Sequence, residues 1–240
     1  MDLTGKIVLL TGGSAGIGRE LARQLKAKGA VVTLTGRNPE RLAAMREEGF
    51  DVVEADLSNA AGTDALIAAW GERPLDILIN NAGQGVDHDW RDEIPDPDQT
   101  DACLYANLSA PVRLITAFVP RLRNQPEAAI VNVTSGLAIA PNSGGPVYGG
   151  TKAGLRAYTM ALRKQLEDTP ITVTEALPPV VDTQMTSGRS GNKMSPQECA
   201  RQIVVAIEQG KAEANIGMVK LLRAIYSVSP ALARSMLLRF

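Results

Sequence analysis

Two side chains that could exchange a proton, Tyr148 and Lys152, lie four residues apart in a chain of 240 residues. Residues four apart share one face of an α-helix, so the ammonium group would lie beside the phenol. A free phenol has a pKa of about 10, and a neighbouring positive charge lowers it by stabilising the phenolate. Such a phenol could protonate a carbonyl oxygen or deprotonate an alcohol. The pair alone indicates little, because Tyr and Lys are common on helix surfaces.

Ser135 gives this pair its significance. It comes directly after an apolar run that predicts a buried strand, and open α/β sheets bind ligands at the carboxyl ends of their strands. Its hydroxyl could hydrogen-bond the same substrate oxygen and stabilise a developing negative charge there. Ser135, Tyr148 and Lys152 are therefore the candidate catalytic residues.

A glycine-rich turn near the start of the chain could hold phosphate groups. The run Thr11-Gly12-Gly13-Ser14-Ala15-Gly16-Ile17-Gly18 connects a predicted strand to a predicted amphipathic helix. Glycines let the backbone approach a pyrophosphate, and a helix N-terminus presents N–H groups and the positive end of its dipole. A lone glycine run would be an ordinary tight turn, but the strand–turn–helix context favours a nucleotide. The candidate phosphate-binding residues are Gly12, Ser14, Gly16, Ile17 and Gly18.

Strands and helices alternate along the chain. Short apolar runs predict strands at Ile7–Leu10, Val31–Thr35, Val52–Ala55, Leu75–Ile79, Ala129–Val133 and Ile171–Ala176. Longer periodic stretches predict helices at Gly16–Lys28, Glu40–Glu48, Ala60–Trp70, Tyr105–Leu122 and Tyr148–Glu167. This alternation predicts the α/β class, as a single Rossmann-like domain over residues 1–240 with a doubly wound parallel sheet and helices on both faces. Residues 1–110 would mainly bind a cofactor, and residues 111–240 would supply catalysis and substrate binding.

The motifs in combination resemble the short-chain dehydrogenase/reductase family, in its shorter rather than its extended branch. The matching features, from Lys6 to about Thr183, are the TGxxxGIG turn, the run Asn80-Asn81-Ala82-Gly83, Ser135 and the YxxxK spacing of Tyr148 and Lys152. The resemblance implies that Asn107 completes a catalytic tetrad by bending a helix and holding a water that passes the proton to Lys152. It also implies cofactor contacts from Asp56, Leu57, Asn81, Ala82, Gly83, Tyr148, Lys152, Pro178, Val181 and Thr183.

The residues after the second strand indicate which nicotinamide cofactor is used. NAD sites commonly place a carboxylate about 20 positions beyond the glycines, where it hydrogen-bonds the ribose 2′-hydroxyl. The segment Thr33–Asn38 contains no carboxylate, and Arg37 could instead make a forked contact with a 2′-phosphate. The resemblance implies the same choice, with Ser14 as a second phosphate ligand. The sequence therefore predicts NADP(H) rather than NAD(H), with an ordinary solvated arginine as the alternative reading of Arg37.

Two regions depart from the family pattern or carry no readable chemistry. Pro179 stands where the family has glycine, which fixes φ and removes a backbone donor, so the path of this loop stays open. Thr186–Ser195 is rich in Ser, Gly and Asn and is expected to form a flexible substrate lid. From about residue 218 a helical tail combines apolar residues with the basic residues Lys220, Arg223, Arg234 and Arg239. An intramolecular or intersubunit helix is preferred there to one that rests on a membrane.

Composition and the remaining residues argue against other classes of protein. A net charge of −1 and few aromatic residues offer no surface for nucleic acid. His88 is the single histidine and is expected at a solvent-exposed rim; without a histidine partner or a G-x-S-x-G motif, a serine hydrolase is not predicted. No metal cluster, disulfide framework, signal peptide or apolar stretch of membrane-spanning length is recognised. A cytoplasmic location without membrane association is expected.

The sequence thus predicts an NADP-dependent oxidoreductase that transfers a hydride between the nicotinamide and a small carbonyl or alcohol substrate. Tyr148 would be the general acid or base. Because members of the resembled family usually pair through their long central helices, a homodimer or homotetramer is expected. Two alternatives remain open: a catalytically silent NAD(P)-binding regulator of the same fold, and an NAD-specific alcohol dehydrogenase. The identity of the substrate and the direction of the reaction are not readable from the residues.

Overall fold

The computed structural model describes residues 1–92 and 94–238, so Arg239 of the tail lies outside the described residues. Its centre is a sheet of seven strands in the order β3-β2-β1-β4-β5-β6-β7. The strands are β1 Ile7–Leu10, β2 Val31–Gly36, β3 Asp51–Glu54, β4 Ile77–Asn80, β5 Ala128–Val133, β6 Ile171–Leu177 and β7 Glu213–Asn215. All neighbouring pairs run parallel, which confirms the predicted doubly wound sheet.

Helices cover both faces of this sheet. They are α1 Gly16–Ala27, α2 Pro39–Glu47, α3 Ala60–Trp70, α4 Pro97–Leu104, α5 Ala110–Arg123, α6 Pro146–Gln165, α7 Pro196–Glu208, α8 Val219–Val228 and α9 Pro230–Leu237. Leu21 of α1 and Ile203 of α7 belong to the core on one face. Leu66 of α3, Phe118 of α5 and Leu162 of α6 belong to the core on the other. Because both faces are covered, the central strands are largely apolar rather than alternating.

The strands and helices predicted up to β6 are confirmed, with the central helical stretch and small shifts of other ends as the differences. Strand β7 and helix α7 are absent from the sequence prediction. β7 is three residues long and has no apolar run, so no local pattern indicates it. α7 does carry a signal, because Ser195 accepts a hydrogen bond from the Glu198 N–H and Pro196 opens the helix. That capping pattern is typical of a helix start.

The helical stretch Pro97–Arg123 differs from the sequence prediction in its bounds and in its apolar length. The sequence predicts one helix at Tyr105–Leu122, whereas the helical stretch starts earlier and contains a π-helical turn at Tyr105–Ser109. At 27 residues it is also long and apolar enough to cross a membrane, contrary to the expectation that no stretch reaches that length. A core helix of a soluble protein meets the same criteria, and here Leu114 and Phe118 are fully buried against the sheet.

The tail is helical, as the sequence predicts, and α8 packs on its own domain. Val219, Leu222 and Tyr226 form a small apolar cluster with Ile139 and Leu177. Helix α8 is therefore an intramolecular helix that packs on its own domain, which is one of the two arrangements preferred from the sequence. Part of the apolar surface of the tail remains exposed, at Met218, Leu221, Val228, Leu232, Met236 and Leu238.

A threonine holds the ends of β1 and β4 together beneath the site. The Thr11 hydroxyl accepts hydrogen bonds from the backbone N–H groups of Asn81 and Ala82, both at 3.0 Å, and donates to the Ile79 carbonyl at 3.2 Å. The Asn81 amide donates to the carbonyls of Thr11 and Gly12 at 3.0 and 3.1 Å. The glycine-rich turn and the segment after β4 are therefore fixed relative to each other.

Candidate active site

A cleft of about 560 Å³ opens at the carboxyl ends of the central strands. Every predicted site residue except Asn107 lines it: Gly12, Ser14, Gly16, Ile17, Gly18, Arg37, Asp56, Leu57, Asn81, Ala82, Gly83, Ser135, Tyr148, Lys152, Pro178, Val181 and Thr183. Residues from both halves of the chain contribute, as expected where parallel strands end together. Within residues 1–92 and 94–238, no group of three or more His, Cys, Asp or Glu side chains could hold a metal ion.

Two positions of the turn after β1 require glycine. Gly12 has a φ of +65°, and a Cβ there would lie 2.8 Å from the Ala82 Cα atom. A Cβ on Gly18 would lie 2.1 Å from the Gly12 carbonyl oxygen and 2.6 Å from Asn81 Nδ2. Any larger residue would push the turn away from the segment after β4. The turn therefore presents bare backbone to the cleft.

The N-terminus of α1 opens on this turn. The helix follows Ala15, whose methyl group cannot cap it, and its first turn contains no acidic residue. The first N–H groups are thus left without the usual cap from the preceding residue, and the positive end of the helix dipole favours an anion. Bare backbone and an uncapped helix start together fit the diphosphate of a dinucleotide.

The guanidinium of Arg37, which directly follows β2, also lines the cleft. Arg37 is 64% exposed; its Nη1 donates to Gln84 Oε1 at 3.3 Å and lies 3.8 Å from Asp56 Oδ1. Ser14 is adjacent, because a Cβ on Gly36 would lie 2.6 Å from the Ser14 hydroxyl oxygen. The structure therefore brings together the two residues that the sequence predicts for a 2′-phosphate.

Arg41 is a cleft residue that the sequence prediction missed. It lies in the first turn of α2 and lines the same cleft as Arg37. Its guanidinium donates to Gln184 Oε1 at 2.5 Å. The signal was available in the sequence, since Arg41 follows Arg37 by four positions and lies in the first turn of the next helix.

Ser135 and Tyr148 meet on the far wall of the cleft. The Ser135 hydroxyl oxygen accepts a hydrogen bond from the Leu137 N–H at 3.1 Å, and the Ser135 side chain is near enough to Tyr148 to act against the rise in the pKa of that phenol. Tyr148 stands in the first turn of α6, which Pro146 opens. Both side chains are half-buried and face the cleft. The two hydroxyls are thus close enough to act on one substrate oxygen.

Lys152 lies one helical turn after Tyr148 and is buried. Its Nζ donates to the Val133 carbonyl at 2.9 Å and lies 5.7 Å from the centroid of the Tyr148 ring. Burial lowers the pKa of Lys152 from 10.5 to about 8, because the charged form is poorly solvated there. The ammonium form still predominates at neutral pH.

In the absence of the positive nicotinamide, the net effect of the surrounding protein is to raise the pKa of Tyr148. Burial raises this pKa above its ordinary value of 10.0, while the Ser135 side chain and the charge of Arg189 oppose the rise and Asp87 adds to it. At neutral pH the phenol is therefore protonated. A protonated phenol is the form that can donate a proton to a substrate.

Asn107 lies behind the cleft rather than in it. It sits in the π-helical turn, is fully buried, and its Oδ1 accepts from the Gln84 N–H at 3.0 Å. Its amide nitrogen donates to the Gln84 carbonyl at 2.8 Å and to the Thr151 hydroxyl at 3.1 Å. A π-helical turn is the predicted helix distortion, and such turns are frequent at functional sites. The side chain itself braces the segment after β4.

His88 is not at a solvent-exposed rim, which corrects the sequence prediction. It is only 6% exposed, and its ring packs edge-on against Trp90 with the ring centroids 5.4 Å apart. Its backbone N–H donates to the Gly144 carbonyl at 3.2 Å, and its ring nitrogens have no hydrogen-bond partner within the part of the chain that the structure describes. The neighbouring Asp87 and Asp89 suggested solvent, but the loop folds the histidine inward.

The segment predicted as a flexible lid, Thr186–Ser195, makes specific contacts. Met194 pairs with Val181 in an isolated bridge. Arg189 forms an ion pair with Asp87 at 2.9 Å and so links this segment to the loop after β4. The two loops therefore meet over the substrate side of the cleft.

Pro179 does not draw the loop after β6 away from the cleft. The Pro178 carbonyl accepts a hydrogen bond from the Gly136 N–H at 2.9 Å, which holds this loop beside β5. Thr183 then reaches the glycine-rich turn, because a Cβ on Gly16 would lie 3.0 Å from the Thr183 methyl group. The departure from the family pattern is accommodated locally.

Comparison with known proteins identifies related chains. Residues 6–193 match the family model described as short chain dehydrogenase. The uncharacterized oxidoreductase DltE of Bacillus subtilis is 38% identical over 223 residues, covering 89% of this chain and 88% of that protein. The crystal structure of a short chain dehydrogenase from Burkholderia cenocepacia J2315 in complex with NADP has a TM-score of 0.89 at 26% identity and covers 99% of both chains.

A further solved structure contains the other nicotinamide cofactor. A short chain dehydrogenase/reductase from Burkholderia phymatum in complex with NAD has a TM-score of 0.83 at 20% identity, over 95% of this chain and 96% of that one. This likeness concerns the fold alone. Solved structures of this fold therefore contain either NADP or NAD.

The glycine-rich turn gives a first testable prediction. Gly18→Ala should weaken NADPH binding at least about tenfold, equivalent to about 1.4 kcal/mol, because the new Cβ would displace the turn. Fluorescence titration with NADPH measures the change. The matched control is Gly150→Ala in α6, where a Cβ would meet no atom within 4 Å. This control should retain wild-type affinity, and wild-type affinity in Gly18→Ala would contradict the assignment.

Proposed function

The chain belongs to the short-chain dehydrogenase family, and from that premise we propose that it is an NADP-dependent oxidoreductase. It would transfer a hydride between the nicotinamide and the carbonyl or alcohol carbon of a small molecule. The observation that carries this proposal is the meeting of Ser135, Tyr148 and Lys152 on one wall of a cleft that also contains the glycine-rich turn. A cleft with a phosphate-binding turn and an acid–base group suits a redox dinucleotide and a substrate oxygen.

The chain binds and orients, while the nicotinamide, when bound, supplies or accepts the hydride. The glycine-rich turn and the start of α1 would hold the diphosphate. Asp56 and Leu57 would hold the adenine edge, and Val181 and Thr183 would hold the nicotinamide end. Lys152 would also hydrogen-bond the ribose.

Tyr148 would donate its proton to the substrate oxygen during carbonyl reduction. The Ser135 hydroxyl would hydrogen-bond the same oxygen as negative charge develops on it. Lys152 would stabilise the phenolate that remains after the proton has left. Burial raises the pKa of Tyr148, so the phenol is in its proton-donating form at neutral pH in the cofactor-free protein.

Asn107 would support the return of a proton to Lys152. Its side-chain amide is already engaged with Gln84 and Thr151. A relay water would therefore be held by the backbone of the π-helical turn rather than by this amide. The bend in the helix, and not the amide group, would create the water site.

The preference for NADP(H) over NAD(H) rests on the charges around the 2′ position. Arg37 and Arg41 both line the cleft, and the Ser14 hydroxyl is beside them. A 2′-phosphate would receive charge-assisted hydrogen bonds from these groups. Asp56, 3.8 Å from Arg37, offsets part of the positive charge but does not occupy the place of the carboxylate that binds a 2′-hydroxyl.

The cellular setting follows from the same family membership. We propose a small-molecule carbonyl or alcohol substrate and a homodimer or homotetramer, with no nucleic-acid partner and no membrane association. Exposed Leu104 and Met160 on the central helices are candidates for the subunit contact. Cys103 and Cys199 are unpaired thiols, which is compatible with the reducing cytoplasm.

Replacing Tyr148 distinguishes the proposed enzyme from a catalytically silent regulator of the same fold. Tyr148→Phe should lower turnover at least about a hundredfold, because the proton donor is lost, and should leave the NADPH dissociation constant within about twofold. NADPH oxidation is first screened with the wild type over ketones, aldehydes and quinones, and the best substrate is then used for the variant. Tyr158→Phe is the matched control, since this tyrosine of α6 packs in the core and should leave turnover unchanged. Undiminished turnover in Tyr148→Phe, or no wild-type turnover on any carbonyl, would contradict the proposal.

Replacing the arginine after β2 tests the choice of cofactor. Arg37→Asp should weaken NADPH binding about tenfold or more while leaving NADH binding equal or tighter, because a guanidinium–phosphate contact is exchanged for a carboxylate that suits a 2′-hydroxyl. Arg46→Asp makes the same charge change at an exposed site at the other end of α2 and should change neither affinity. Equal affinity of the wild type for the two cofactors would contradict the preference for NADP(H).

A further inference from the structure

Glu175 is a buried carboxylate outside the cleft. It lies in β6, next to the strand that precedes Ser135, and its side chain has no exposed surface. The Thr134 hydroxyl donates to Glu175 Oε1 at 2.7 Å, and Arg156 Nη1 donates to Oε2 at 2.5 Å. An isolated buried carboxylate would cost several kcal/mol or more. Here both oxygens are engaged, so the group is built into the fold.

Stability alone does not explain this buried ion pair. Replacing a buried ion pair by apolar residues of similar volume is often neutral or stabilising, because desolvation offsets the attraction between the charges. Burial raises the pKa of Glu175 and Glu213 adds to the rise, while Thr134, Arg156 and, to a smaller extent, Arg163 oppose it. The position of the pair suggests what it does.

The residues on either side of Thr134 both contact catalytic side chains of α6. The Val133 carbonyl accepts a hydrogen bond from Lys152 at 2.9 Å. The Ser135 side chain lines the same cleft as Tyr148 and is near enough to affect the pKa of its phenol. The end of β5 is therefore joined to two successive turns of one helix, and a small shift of the strand along the helix would disturb both contacts.

Thr134 is connected to α6 through the ion pair of Glu175 and Arg156. Its hydroxyl binds Glu175, and Glu175 binds Arg156, which is four residues beyond Lys152 on α6. Residues spaced by four share one helix face, so Arg156 continues the line of Tyr148 and Lys152. Three consecutive residues of the β5 end are thus connected to three successive turns of α6.

The same cluster extends to the C-terminal tail. Arg156 Nη2 donates to Glu213 Oε1 at 2.9 Å, and Arg223 of α8 lies 3.6 Å from the other oxygen of Glu213. The first residue of α8, Val219, also covers the residue after Ser135, because a Cβ on Gly136 would lie 3.0 Å from its methyl group. Helix α8 is therefore joined to the Ser135 segment by charge and by packing.

We propose that Glu175 and Arg156 are positioning residues that set the register of the Ser135 segment against α6. The inference rests on the proposed function, since it assigns Ser135, Tyr148 and Lys152 their catalytic roles. Glu175 and Arg156 touch neither substrate nor cofactor. They act by holding Thr134, and through it the Ser135 hydroxyl, at the distance from Tyr148 that the reaction requires.

The test compares three variants of the full chain at a temperature well below unfolding. Arg156→Gln removes the cation, and Thr134→Val removes only the hydroxyl while keeping the Arg156–Glu175 pair. Both should lower kcat roughly ten- to a hundredfold, since a displacement of about 1 Å has effects of that size, while KM for NADPH changes less than about twofold. Arg156→Lys restores a cation and should recover much of the lost kcat.

The matched control is Arg163→Gln. Arg163 also projects from α6 and donates to the carbonyls of Val173 and Ala212 at 2.8 and 2.6 Å. It acts on Glu175 only through its charge and makes no hydrogen bond to Glu175 or to residues 133–135. This variant should lower Tm without lowering kcat. If Arg156→Gln and Thr134→Val lower Tm but keep wild-type kcat, the proposal is overturned. Should Arg156→Gln fail to fold, Thr134→Val decides the matter.

Failure of the positioning role is distinct from failure of the proposed function. If the wild type turns over no carbonyl with NADPH, the proposed function is wrong. If the wild type is active and Arg156→Gln matches it in kcat, only the positioning role is wrong. A loss of kcat that Arg156→Lys does not recover at all also contradicts the role, because it would not depend on the restored charge.

Discussion

The site depends on one buried ammonium group. Lys152 is 4% exposed, its Nζ donates to the Val133 carbonyl, and burial lowers its pKa from 10.5 to about 8. Holding the charged form therefore costs on the order of 3 kcal/mol of folding stability at neutral pH. Since the folded-state pKa is depressed, this cost is present below about pH 8 and disappears as the pH rises towards 10.5. In the proposed reaction the burial has a use, because the cation lies 5.7 Å from the centroid of the Tyr148 ring and would stabilise a phenolate there.

The remainder of the architecture brings the glycine-rich turn into the same cleft as this cation. Parallel strands end at one edge of the sheet, so the turn after β1, the segment after β4 and the end of β5 meet there. Thr11 fixes the first two of these relative to each other, and Asn107 braces the segment after β4 from behind. The β5 end is joined to α6 by hydrogen bonds rather than by apolar packing alone. The buried polar groups therefore fix the relative positions of these segments, even where their burial lowers the free energy of unfolding.

Much of the fold and of the site can be predicted from local sequence, and the rest depends on long-range contacts. The apolar strands and the glycine-rich turn are readable because their periodicity and turn chemistry are local. His88 was misplaced because its polar neighbours said nothing about how the loop folds over it. The ion pair of Glu175 and Arg156 could not be predicted for a similar reason, since the two residues are 19 positions apart and lie in a strand and a helix. β7 carries no pattern of its own and forms only because β6 offers it an edge.

The direct test of the central claim is an ultraviolet difference titration of tyrosine ionisation, with and without saturating NADP⁺. The chain has four tyrosines, and Tyr148→Phe identifies the contribution of the catalytic one. We expect Tyr148 to titrate above 10.0 in the free protein, because burial raises its pKa. With NADP⁺ bound, we expect its pKa to fall below that value, because the positive nicotinamide joins Lys152 in stabilising the phenolate. A Tyr148 pKa that does not fall when NADP⁺ binds would contradict it.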